Sequence, residues 1–193
     1  MSDRPPATTR ADYRWFIEIP TRWHDNDVYQ HVNNVIYYAF FDTAVGRFLV
    51  ESGVLDIRHS PVIGYVAETK CQFLGAVAFP DRVTVGLRAG RIGTTSVRYE
   101  IGIFRNEDET AAAQGHFVHV YVERETGRPT PLPPKLRAAL QPLRVDAGAS
   151  AREEKVPAEE GGAEGRHILS GTRSPELGEP GEHGDGEFGE RRG

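Results

Sequence analysis

Arg22-Trp23-His24-Asp25-Asn26-Asp27-Val28-Tyr29-Gln30-His31-Val32-Asn33-Asn34 runs directly into Val35-Ile36-Tyr37-Tyr38-Ala39-Phe40-Phe41-Asp42-Thr43-Ala44-Val45-Gly46-Arg47-Phe48-Leu49-Val50. An acid-rich polar loop is thus followed by a strongly apolar run. Asn33 or Asn34 can cap a helix by accepting backbone N–H bonds. Gly53, just past Glu51-Ser52, suits its stop. The pattern predicts a helix from about Asn34 to Ser52, apolar on most faces and therefore buried. Two carboxylates, a histidine and two asparagines meet at its N-terminus. Free N–H groups and the positive dipole end favour developing negative charge there, so the loop is a candidate site.

On either side of this stretch the chain reads as strands. Residues 12–20 are rich in aromatic and β-branched types and precede the loop. Residues 62–73 form a second strand of imperfect alternation, in which Ala67, Thr69, Cys71 and Phe73 can line one face. Residues 82–88 alternate cleanly with Val83, Val85 and Leu87 on one side, and 95–104 alternate again. The last long strand spans 111–123, and 135–140 can make one or two helical turns. Short turns between consecutive strands imply antiparallel pairing. One helix cannot supply a crossover between each pair, which excludes a parallel α/β sheet. The expectation is an α+β fold: a curved antiparallel five-stranded sheet wrapped around one long central helix. A single helix covers only part of one sheet face, and the open edges invite a second copy.

Composition bounds the rest. Residues 145–193 carry 12 acidic and 6 basic side chains and 11 glycines, so this tail is near −6 and the body near +1. A near-neutral body argues against generic nucleic-acid binding. The tail has too little apolar surface to offset ordering entropy and reads as a disordered acidic Gly/Glu-rich extension. The domains expected are a disordered N-terminus (1–11), a folded domain (12–144) and the tail (145–193). The single cysteine, Cys71, excludes an intrachain disulfide framework and reads as a packing residue. No signal core and no membrane-spanning run are present, which gives the expectation of a cytoplasmic protein without membrane insertion.

The motif Arg22-x-x-Asp25-x-Asp27-x-x-x-His31-Val32-Asn33-Asn34-x-x-Tyr37 resembles the signature of the 4-hydroxybenzoyl-CoA thioesterase family of hotdog-fold proteins. The likeness continues through Phe41-Asp42-x-Ala44, residues 73–83, Gly93-Thr94-Thr95-Ser96 and Pro131-Leu132-Pro133, and covers about residues 13–140. It implies hydrolysis of an acyl- or aroyl-CoA thioester to free acid and coenzyme A. It also implies a homodimer with a continuous sheet, or a homotetramer, with sites between protomers. The family's catalytic aspartate maps onto Asp27, which either attacks the carbonyl or activates water. His31 joins it as a catalytic candidate. Asn33, Asn34, Tyr37, Ile63, Gly64 and Tyr65 are the substrate-binding candidates, the last three as the backbone region donating to the oxyanion. Arg91, Gly93, Thr94 and Thr95 are the coenzyme A candidates, with Arg88, Arg98 and Arg128 as further cations. Asp25 reads as either a catalytic group or a loop carboxylate paired with Arg22. Asp42 reads as a structural hydrogen-bond partner. His24 and His119 have nothing specific beside them. Asp25, Asp27 and His31 lack a recognised metal-ligand spacing, so no metal and no redox cofactor is expected, coenzyme A being part of the substrate.

Two rival readings stand beside this one. A hotdog enoyl-CoA hydratase or dehydratase would also use an acid and a histidine, here Asp27 and His31, but its Gly-Asp-x-Asn-Pro-x-x-His loop is missing. A non-catalytic acyl-CoA-binding protein is the other.

Overall fold

A computed structural model describes residues 6–145. The expectations for 1–5 and for 146–193, most of the tail, lie outside the described residues. The elements are β1 (Trp15–Pro20), α1 (Asn34–Glu51), β2 (Val62–Phe73), β3 (Arg82–Ile92), β4 (Ser96–Arg105), β5 (Ala113–Glu123) and a short α2 (Pro134–Leu140). The strands form one sheet in the order β1-β3-β4-β5-β2, with every neighbouring pair antiparallel.

Helix α1 begins and ends as its sequence dictates. The Asn33 side chain accepts the Val35 N–H at 3.2 Å. At the other end Gly53 takes a left-handed conformation at φ +66°. Its N–H reaches the Val50 carbonyl, and the Val54 N–H reaches that of Leu49. These two bonds are the Schellman arrangement, which satisfies carbonyls the helix leaves open.

One face of α1 is buried on the sheet through Tyr37, Phe40, Phe41, Ala44, Val45, Phe48 and Leu49. They meet Val83, Val85 and Leu87 of β3, Val97, Tyr99, Ile101 and Ile103 of β4, and Ala113, Phe117 and Tyr121 of β5. Burying one such side chain contributes about 1.5–3 kcal/mol. The helix is not buried all round, however. Val35 is 60% exposed and Val50 is 41% exposed, because this chain supplies a layer on one side of α1 only.

Strand β2 explains its own irregular pattern. A register shift between Val66 and Glu68 marks a bulge at Ala67. Val66 lies opposite His119, whereas beyond the bulge Thr69 lies opposite Phe117. An extra residue flips the alternation. Thr69, Cys71 and Phe73 therefore share a face with Gly64 and Val66, and Ala67, expected on that face, is the bulge itself.

The N-terminal stretch corrects one expectation. Over its described part it packs against the sheet rather than hanging loose. The Thr8 N–H bonds the Gln114 Oε1 at 2.7 Å, Arg10 reaches the carbonyls of Asp108 and Asn106, and residues 10–12 make a 3-10 turn. The buried Tyr13 then packs edge-on against Phe104.

Candidate active site

The loop before α1 is a closed backbone structure. The Asn33 N–H bonds the Asp25 carbonyl at 2.8 Å and the Asp27 N–H bonds the His31 carbonyl at 2.8 Å. Asn26 and Val32 bridge between them. Gln30 turns the tip at φ +64°. The Val32 N–H is held by the Val77 carbonyl, and the Asn26 side chain accepts the Phe79 N–H at 3.0 Å.

The two carboxylates of this loop have different surroundings. Asp25 is fully buried and accepts three N–H groups of Arg22: the backbone N–H at 2.7 Å, Nε at 3.0 Å and Nη2 at 2.8 Å. Burial alone would push its carboxyl up. The Arg22 hydrogen bonds and charge outweigh that and hold it below the ordinary carboxylate range. It is the loop-holding carboxylate. Asp27 is only half-buried, and its Oδ1 accepts the Tyr29 N–H at 2.8 Å. No hydrogen bond from the described residues occupies Oδ2. His31 enters this geometry through its carbonyl, and its side chain stands exposed. Asn34 is exposed at the first turn, while Asn33 is engaged as the cap.

A cavity of about 280 Å³ lies elsewhere, between the second half of α1, the start of β2, β5 and α2. Ile63 and Gly64 line it, as do Asp42, Val45, Leu49, Leu55, His119, Tyr121, Arg124 and Leu136. Asn34 and Asp42 are eight residues apart, so this end of α1 is about 12 Å along the helix axis from the Asp27 loop. One chain therefore brings Ile63 and Gly64 together with the cavity but does not bring Asp27 or His31 to them. Tyr65 is more than half exposed on the open β2 edge. Tyr37, expected on the substrate side, is buried in the core edge-on to Phe40 and Phe73, and burial pushes its hydroxyl up to about 12.

The coenzyme A candidates lie on the β3–β4 turn, which the end of the domain ties down. Arg137 donates to the Gly93 carbonyl at 2.9 Å, the Leu132 N–H to that of Thr94, and the Tyr121 N–H to that of Thr95. The side chains of Arg91 and Thr94 are exposed. Arg88 is not available as a phosphate cation. It is buried on the outer face of the sheet, with Nε and Nη2 both 2.6 Å from Glu100 and its guanidinium over the Tyr13 ring. Arg98 faces Glu100 and Glu68 on that same face, and Arg128 is exposed.

Two residues of the cavity were not among the site candidates of the sequence. His119 is buried, with neither ring nitrogen hydrogen-bonded among the described residues. Its inward register between Phe117 and Tyr121 was the available signal, since a polar side chain in that position must enter the core. Asp42 makes no hydrogen bond among the described residues, contrary to the structural role expected of it. Its partial burial beside the cavity pushes its carboxyl up.

The chain matches the model of the thioesterase-like superfamily over residues 21–140. Among solved structures, the PA5185 protein of Pseudomonas aeruginosa is 51% identical, with 74% of this chain and 99% of that one covered at a TM-score of 0.71. The PA2801 protein of the same species is 33% identical over 66% of this chain and 98% of its own, at a TM-score of 0.62. A Thermus thermophilus thioesterase, solved with coenzyme A and zinc, is 26% identical, with 67% and 98% covered at a TM-score of 0.55. With a family match that runs from the Asp27 loop through α2, and a five-stranded sheet folded around α1 as a hotdog, the chain belongs to the thioesterase-like superfamily and is a thioester hydrolase.

Proposed function

We propose that this protein is an acyl-CoA thioesterase related to the 4-hydroxybenzoyl-CoA branch, with Asp27 as the catalytic carboxylate. The observation that carries the reading is the contrast within one loop. Asp25 spends its oxygens on Arg22, while Asp27 keeps Oδ2 free of donors among the described residues at the mouth of α1. As general base, Asp27 takes a proton from water as that water attacks the thioester carbonyl. The tetrahedral intermediate then collapses, the C–S bond breaks, and coenzyme A leaves as a thiolate that regains the proton. As nucleophile, Asp27 would form an acyl-aspartyl anhydride and release the thiolate, and water would hydrolyse the anhydride in a second step. Either route needs N–H donors at the developing oxyanion, and the Ile63-Gly64-Tyr65 backbone is assigned that role. Asn33 keeps the loop on the helix, and Asn34 stands nearest to substrate at the first turn. His31 holds the loop through its carbonyl, and its exposed ring orients water or substrate. The exposed Arg91 and the Gly93-Thr94-Thr95 turn receive the coenzyme A arm. The step as written draws on no metal or redox group.

The site is completed by a second copy in this reading, because Asp27 and the Gly64 cavity lie toward opposite ends of α1. Supporting this are the apolar side chains left open around the loop and along the open edge: Trp23, Val28, Tyr29 and Val35, then Tyr65, Val66 and Phe73.

Assays of acyl- and aroyl-CoA hydrolysis with free-thiol detection test the assignment. Asp27→Asn should lower kcat by about 10²–10⁴-fold with an unchanged melting temperature. Asp25→Ala should instead cost about 1–3 kcal/mol of stability by leaving the Arg22 backbone N–H unpaired. Unchanged turnover in Asp27→Asn across several acyl groups rejects the reading. Hydration of crotonyl-CoA without hydrolysis would favour a hydratase instead.

A further inference from the structure

We propose that a strip of unpaired cations along β3 and α2 is the docking surface for an acidic carrier protein, which presents the acyl group on a phosphopantetheine arm and serves as substrate in preference to the coenzyme A thioester. This rests on the thioesterase reading for the reaction, and on the surface itself for the partner.

Five exposed cations make the strip: Arg14 before β1, Arg91 in β3, Lys135 and Arg137 in α2, and Arg144 close to the end of the described chain. The backbone sets them side by side. The Arg14 N–H bonds the Leu87 carbonyl, Arg144 bridges Ala89, and the Arg137 guanidinium bonds the Gly93 carbonyl at 2.9 Å. The Lys135 ammonium lies beyond the end of α1, 3.4 Å from where a Cβ on Gly53 would stand. From Leu87 to Gly93 the strand advances about 20 Å.

None of the five makes a salt bridge among the described residues, whereas Arg22, Arg47, Arg82, Arg88, Arg98 and Arg105 each do. Asp12 and Glu100, from neighbouring stretches, are engaged by the buried Arg88. Residues 126–145 hold Arg128, Lys135, Arg137 and Arg144 and no acid. The body as a whole is near neutral, so this face is a local concentration of one sign. Such a face attracts an anionic partner and orients it on approach.

The size of the strip narrows the partner. The phosphates of a coenzyme gather at one end of that molecule and call for cations only at the β3–β4 turn, where Arg91 and Arg137 stand. Arg14 and Arg144 are left over, toward the far end of the strip. A length of about 20 Å is that of a helix of about 13 residues, and an acidic helix laid along β3 meets the cations at both ends. A nucleic-acid duplex would need a broader basic field than this near-neutral body offers. The route for the arm is short. Lys135 and Arg137 are on the exposed side of α2, while Leu136, together with Pro133 just before the helix, lines the cavity that holds Gly64. An arm tethered beside Arg137 passes the Gly93-Thr94-Thr95 turn and delivers its thioester to the proposed oxyanion donors.

Hydrolysis by the full chain of matched octanoyl and benzoyl thioesters, each carried on acyl carrier protein and on coenzyme A, tests this. The carrier-bound thioester should have the higher kcat/KM, and the advantage should vanish at about 1 M salt, which screens exposed charges. The double variant Arg14→Glu with Arg144→Glu should lower kcat/KM for the carrier-bound thioester by about tenfold or more, through KM. It should leave the coenzyme A thioester unaffected. Calorimetric titration of the wild-type chain with holo carrier protein, which needs neither a variant nor turnover, should show binding that weakens with salt. Equal losses on both thioesters would assign the strip to the coenzyme's phosphates and overturn the proposal. Absence of carrier binding, or a DNA duplex that binds as tightly as the carrier, would also overturn it. Salt-sensitive carrier binding by a chain that cleaves no thioester would sink the thioesterase mechanism and leave the docking surface standing. Asp27-dependent hydrolysis of acyl-CoA without carrier binding would do the reverse.

Discussion

His119, buried in the sheet, carries a consequence for stability. Burial lowers its pKa from the ordinary 6.5 to about 4. Between those values the unfolded chain binds a proton that the native state refuses, so stability falls as pH drops from about 6.5 to about 4 and levels off below. His116 is lowered in the same sense, by burial against the opposing pull of Glu68 at 2.7 Å. Comparing wild type with His119→Phe therefore isolates the share of His119. Denaturant midpoints measured from pH 7.5 to 4 should decline less steeply in the variant. Asp25 behaves oppositely. Its lowered carboxyl supports the fold at neutral pH, and that support is lost progressively as pH falls from the ordinary carboxylate range through its own depressed value.

Among the elements, β2 is the one whose details bear most on the proposed site. Its bulge at Ala67 lets Gly64 and Val66 face the helix side at one end and Thr69, Cys71 and Phe73 do so at the other. Gly64 is the point where a side chain cannot be added without cost. Its Cβ would stand 2.9 Å from the His119 Nδ1 and 3.3 Å from the Tyr121 ring. Gly64→Ala should destabilise the protein by about 1–3 kcal/mol, as overpacking does. Thermal melts of the variant against wild type check this.

At the scale of the molecule, the proposed site falls in two separate halves of one chain. The Asp27 loop stands at one end of α1, and the Gly64 cavity flanks its other end. The β2 edge is open, with Val66 46% exposed on it. The proposed homodimer or homotetramer predicts that Val66→Asp, which removes little buried surface within one chain, runs as a monomer in sedimentation velocity. It should lose hydrolysis about as fully as Asp27→Asn. A monomeric wild type that remains fully active would remove the need for a second copy.

Local chemistry was enough for much of this. Asn33 as cap, Gly53 as stop, the alternation of Val83, Val85 and Leu87, and the short polar turns are decided by neighbours in sequence, and the structure has each where the chain spells it. The Asp25-x-Asp27 spacing likewise marked the loop before α1. The sequence could not separate the two carboxylates or find His119, because burial and partnership are set by residues far apart in the chain. Arg22 closes on Asp25 only once the loop is folded, and His119 loses its solvent only where β5 passes beneath Gly64 and Tyr99. Arg88 shows the same limit: an arginine beside a turn reads as a free cation until the sheet sets Glu100 and Tyr13 against it. Periodicity is a property of the chain, whereas desolvation is a property of the packed whole.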